Sequence, residues 1–201
     1  EREEAIRIEQ GGLVVRNDVR SGAVARISDV RIDAGAVKVE ALEEATIRAV
    51  NNSEATSSGG SALGQGKSIA VNGVIATNPV LSQALADVKA SNVLTLTGGV
   101  DIRALENASI DAVNQSLTTS EGSSIGLTMA FNTVGWKADG VLALAKEALV
   151  GGQVGTEQPA RSRASVQDSS IESAGAIVID AATESAINAS VSNKTGSADG
   201  M

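Results

Sequence analysis

From Val100 to Ala112 the apolar residues Val100, Ile102, Ala104, Ala108, Ile110 and Ala112 share one parity, while Asp101, Arg103, Ser109 and Asp111 take the other. Such period-two alternation predicts a β-strand with one face on a core and one in water. The pattern is written three times: VKVEALEEATIRAVNNS at 37–53, VDIRALENASIDAVNQS at 100–116 and IVIDAATESAINASVSN at 177–193. The first two copies lie 63 residues apart and agree at 10 of 17 positions, with Val/Ile, Thr/Ser and Asn/Gln among the remainder. Upstream, AVARISDV (23–30) aligns with ADVKASNV (86–93) at the same offset, and ASVQDSSI (164–171) follows 78 residues later. A second block recurs as SIAVNGV (68–74) and TMAFNTV (128–134). The expected organisation is a single array of repeat units at about 23–85, 86–163 and, in part, 164–201, each holding about four strands bounded by Gly, Ser and Asn clusters.

Two arrangements carry such strands, separate antiparallel sandwiches or coils stacked on one another. A free-standing sandwich of roughly 60 to 75 residues without aromatic anchors or disulfides buries too little apolar surface, whereas stacked coils pool one core. The predicted fold is therefore all-β, a parallel β-solenoid (β-helix) of stacked repeats. Outward charges agree with in-register stacking, where equivalent residues lie about 4.8 Å apart. Lys38 falls on Asp101, Arg48 on Asp111, and Glu40 on Arg103, which falls in turn on Asp180. This alternation favours one wide coil per unit over three short coils of about 21 residues, whose equivalents would lie about 14 Å apart. Glu43 over Glu106 is the exception, and it places residues 42–44 and 105–107 at a corner where carboxylates reach water.

The second unit contains a longer connection, 135–163, in which Asp139 can cap a helix with apolar residues at Val141, Leu142, Ala145, Ala148 and Leu149, ended by Gly151 and Gly152. One short inserted helix is expected at about 139–150, with Trp136 at its root as the largest apolar anchor.

Composition narrows the kind of core. Aromatic residues are 1% of the chain, so Ala, Val, Ile and Leu must fill the interior, which suits thin repetitive layers. The net charge is -8 with scattered basic residues, which gives no footprint for nucleic acid or an anionic membrane. There is no cysteine, hence no disulfide framework and no thiolate site. The start EREEAIRIEQ has no basic region followed by an apolar one, and no apolar run of about 18 residues occurs, so neither a signal peptide nor membrane insertion is expected; a processed chain or an excised fragment shares this pattern.

Candidate chemistry is sparse. Asp101, Arg103, Asp111 and Asp180 resemble the outer-face acid/base clusters of β-helix polysaccharide enzymes, yet each is also a rung of the charge ladder, and the chain has no His and one Trp. GQGKSIAVNG (64–73) ends a turn in Gly-Lys-Ser, but the preceding Gly is too close and a strand follows, so it is no phosphate loop. No Gly-rich calcium nonapeptide is present. Asn51, Asn114 and Asn193, and likewise Asn72 and Asn132, recur near strand ends and predict stacked amides or solvated turns. Asn-x-Ser/Thr triplets at Asn51, Asn107, Asn114, Asn188 and Asn193 follow from composition. No catalytic, cofactor-binding or metal-ligating residue is predicted.

With the units aligned, GSSIGLTMAFNTVGWKADGVLALAKEALVG, EQPA and ASVQDSSIESAGAIVIDAATESAINASVSN resemble the repeat of very large secreted bacterial surface proteins, the adhesin or haemagglutinin-like β-solenoid class. The likeness spans about residues 22–195, although the first unit has AVNGVIATN in place of the Phe and Trp. The resemblance implies a non-enzymatic structural and adhesive module, located outside the cell, whose partners are neighbouring repeats and surface or matrix glycans or proteins. The alternatives are a self-assembling fibre subunit stacked through open strand edges and, third, a polysaccharide-active enzyme.

Overall fold

The structure is a computed structural model, and it describes residues 6–58, 67–135 and 160–197. The alternating stretches become strands, and no helix occurs among the described residues. Chain order gives β1 (Ile6–Arg16), β2 (Val19–Ser28), β3 (Arg31–Ala34), β4 (Val37–Ser57), β5 (Lys67–Lys89), β6 (Asn92–Thr95), β7 (Val100–Ser120), β8 (Ser123–Val134), β9 (Arg161–Gln167), β10 (Ser170–Ser173) and β11 (Ile177–Ser197). They form three parallel sheets. In the first, β1 and β2 lie along the two parts of β5 on one side, and β8 and β9 along them on the other. The second is β3-β6-β10 and the third β4-β7-β11. The chain thus visits the three sheets in the same order three times, with the second pass (β5 to β7) between the first and the third.

In the third sheet the expected register holds residue for residue over 21 positions. Val37 pairs with Val100 and Val100 with Ile177, so Ile47, Ile110 and Ile187 form one column. Equivalent residues of successive passes are thus direct neighbours in one parallel sheet. ASVQDSSI also lies on ADVKASNV as expected, with Ala164 on Ala86. Two alignments are corrected. Ala25, not Ala23, pairs with Ala86, and Asn78, not Asn72, pairs with Asn132. A period-two pattern keeps its buried face under any even shift, so slips of two and six residues leave the hydrophobic pattern intact. The first slip has a visible cause: residues 96–99 link β6 to β7 where 35–36 suffice between β3 and β4.

The expected corner at 42–44 and 105–107 is absent. β4 and β7 run straight through it with parity unbroken, and Glu106 is fully buried rather than in water. True corners lie elsewhere. Asp29, Ala90 and Asp168 occupy the same bend in the three passes, all at positive φ (58°, 48° and 49°), and their amides continue the ladder, Asp29 N to Lys89 O and Ala90 N to Gln167 O.

The inserted helix expected at 139–150, with Trp136, lies outside the described residues. Its roots do not. The register offset against β5 rises from 54 at Val134 to 78 at Arg161, so 24 residues are extra here. Gly135 donates its amide to Val80 O at 2.8 Å and has φ of 73°, and a Cβ on it would come within 2.8 Å of Ala160 N. Only glycine fits that departure.

The interior holds two aliphatic clusters. Val39, Ala41, Ala84, Ala86, Val88, Val93, Val100, Ile102 and Ala104 draw on all three sheets; Ala45, Ile47, Ala49, Val80, Ala108, Ile110 and Ala112 form the second. Between them the inward column of Glu43 and Glu106 faces Ser21 and Ser82, whose hydroxyls donate to the two carboxylates. Among the described residues Glu106 Oε2 has no hydrogen-bond partner.

Candidate functional surface

The charged residues singled out in the sequence lie on the outer face of the third sheet. Register stacks Lys38 on Asp101, Glu40 on Arg103, Arg103 under Asp180 and Arg48 on Asp111, as expected. The short ion pairs, however, mostly run along a strand: Lys38 Nζ meets Glu40 at 2.8 Å and Arg103 Nε meets Asp101 at 2.8 Å. Residues two apart on one face compete with the next strand for the same charge. Arg48 to Asp111 crosses strands at 3.7 Å, and Asn188 Nδ2 donates to Asp111 at 3.3 Å. Asp111 stands eight residues along β7 from Arg103, about 26 Å at strand rise, so the four residues do not converge on one point. Asp101 and Arg103 pair with each other, Asp111 pairs with Arg48, and Asp180 stands over Arg103 by register.

The expected amide stacking is present in altered form. Asn51 Nδ2 donates to Asn114 Oδ1 at 2.7 Å inside the third sheet, but Asn193 pairs with Ser116 and donates to Gly126 O. In the first sheet Asn17 donates to Asn78 and Asn78 to Asn132, each at 2.7 Å. Asn72 instead joins Ser53 and Ser116 across the interior. This amide column was missed because the two-residue slip hid Asn17 from Asn78 and the six-residue slip hid Asn78 from Asn132.

One ion cluster lacked any sequence signal. Asp87 of β5 accepts from Arg26 of β2 at 3.1 Å, from Arg163 of β9 at 3.0 Å and from Ser165 at 2.7 Å, with its side chain 7% exposed. Burial pushes this carboxyl up, but the hydrogen bonds from Ser165, Arg163 and Arg26 outweigh it, leaving Asp87 below the usual carboxylate range. Asp18 is likewise lowered, first by the Arg20 hydrogen bond, opposed by its burial and aided by Arg16. Both clusters tie strands or turns together.

Two surfaces leave aliphatic side chains in the open. The outer face of the first sheet is apolar across three strands, with Ile8, Val14, Ile125 and Leu127 exposed beside Ile69, Val71 and Ile75. Exposed aliphatic residues of neighbouring strands are thus gathered on one face. The second is the outer edge of β11, which among the described residues pairs with β7 alone. Its inward residues Ile177, Ile179, Ile187 and Val191 are about half exposed, whereas Val39 and Ile47 at the opposite edge are buried. Among the described residues no three acidic, His or Cys side chains gather as a metal site. No protein-family model, no curated protein and no solved structure matches the chain.

Proposed function

We propose that the chain is a segment of a parallel β-solenoid, its three sheets joined into continuous coils, and that it acts as a stiff, non-enzymatic spacer and contact surface of a large bacterial extracellular or cell-surface protein. The observation that carries this reading is the unbroken 21-residue register of β4, β7 and β11, repeated through three passes that share their aliphatic filling. A stack built this way resists bending because each pass is bonded along its length to the next. The sequence resemblance supplies the surface location, and the apolar outer face of the first sheet supplies the contact. Asp101 is paired with Arg103 and Asp111 with Arg48, which supports a structural role for the ladder.

The test is electron microscopy and surface labelling of the gene product in its own cells. Thin rods reached by antibody on intact cells are expected; compact beads, or antigen confined to the cytoplasm, would overturn the proposal. A second reading, self-assembly of identical subunits into a fibre, is favoured by the half-exposed aliphatic edge of β11 alone.

A further inference from the structure

Resting on the stacked reading, the outer face carries a charge rule for what docks on that edge. Four columns hold an acid in the first pass and another in the third, with a non-acid between them. They are Asp29, Ala90, Asp168 at the corner; Asp33, Leu94, Glu172 in the second sheet; and Glu40, Arg103, Asp180 and Glu44, Asn107, Glu184 in the third. The second pass thus keeps the acids of its neighbours two strand spacings apart, about 9.6 Å, and in one column puts a cation between them.

Laid in the same register, the third pass of one copy on the first pass of another brings all four acid pairs to about 4.8 Å with nothing between. The basic residues of the first pass give no compensation: Arg26 would meet Ser165, Arg31 Ser170, Lys38 Val178 and Arg48 Asn188. Among the described residues the one opposite-charge match is Lys194 on Glu54. The aliphatic side is uneven too, since Ile179 and Ile187 are open while the equivalent Val39 and Ile47 are already covered.

We propose that the β11 edge docks a parallel strand of second-pass type, one that presents a cation to Asp180, uncharged residues to Asp168, Glu172 and Glu184, and aliphatics to Ile177, Ile179 and Ile187, and that it rejects the first pass of a second copy. Backbone pairing and aliphatic cover give the affinity, and the acids give the selection.

The test uses the full chain and labelled peptides followed by fluorescence anisotropy. A peptide of residues 98–120 places Arg103 over Asp180; its Arg103→Glu version and a peptide of residues 37–57 place an acid there. The 98–120 peptide is expected to bind, the Arg103→Glu version about fivefold more weakly at low salt, and Asp180→Arg in the chain is expected to reverse that order. Sedimentation of the unaltered chain should show one species, and Asp180→Arg should promote end-to-end association. Failure of the 98–120 peptide to bind, binding indifferent to Arg103→Glu, or equal self-association of both chains overturns the docking rule. Hydrogen exchange separates this from failure of the underlying reading: protection shared by β4, β7 and β11 leaves the spacer standing, whereas unrelated exchange in the three strands removes both.

Discussion

β7 and β11 have the same length, the same alternation and matched residues, yet one is interior and the other an edge. Ile110 is 1% exposed and Ile187, one position above it in the same column, is 51% exposed. The two edges of the sheet are not alike, since Ile47 of β4 is buried although β4 is an edge as well, so strands of one pattern differ in burial by what surrounds each of them. The aliphatic clusters draw their buried members from the first and second passes, and the third pass lies at the open side.

The largest effect should come from breaking that contrast directly. Ile110→Ala removes a side chain packed on both sides and should lower stability by about 2–5 kcal/mol in urea unfolding, whereas Ile187→Ala should cost about 1 kcal/mol or less. Equal losses would mean that β11 is covered in solution. Next is Asn78→Ala, which strips the acceptor from Asn17 and the donor from Asn132 in one step. A loss of about 1–3 kcal/mol is expected, larger than for Asn17→Ala or Asn132→Ala at the outer passes.

The smallest effect is visible as a pH dependence. Asp87 joins the middle pass to Arg26 below and Arg163 above, and its folded pKa is depressed. A depressed carboxylate contributes stability above its unfolded pKa, near 4, and that contribution is lost as pH falls through the lower folded value. Asp87→Asn should therefore be less stable than the unaltered chain at pH 7, and the difference should shrink as pH drops below about 4. A gap that stays constant to pH 2 would show that the pairing with Arg26 and Arg163 does not form.

Strand identity, the inward columns and the offset between 37–53 and 100–116 were legible in the sequence because alternation and near-identity specify them together. The offsets of the first sheet were not. There the copies share only their parity, and Ala23 and Asn72 satisfy it as well as Ala25 and Asn78 do. Glu43 and Glu106 were misread for a related reason: two carboxylates on an inward parity suggest a break in the strand, and the serines that donate to them, Ser21 and Ser82, belong to another sheet. Asp87 gave no signal, since its partners lie 61 and 76 residues away. The acid columns that single out the β11 edge became visible once three passes could be read side by side.

The departure at Gly135 has a consequence for how such a protein changes over time. Two adjoining positions of the middle pass, Leu81 and Ser82, correspond in the third pass to residues separated by a 24-residue detour, and the pairing resumes without a shift of face. Length added at that clasp is invisible to the ladder on either side. Such a site can lose, gain or exchange whole segments while the scaffold is conserved, so novelty can accumulate there without the chain having to refold around it.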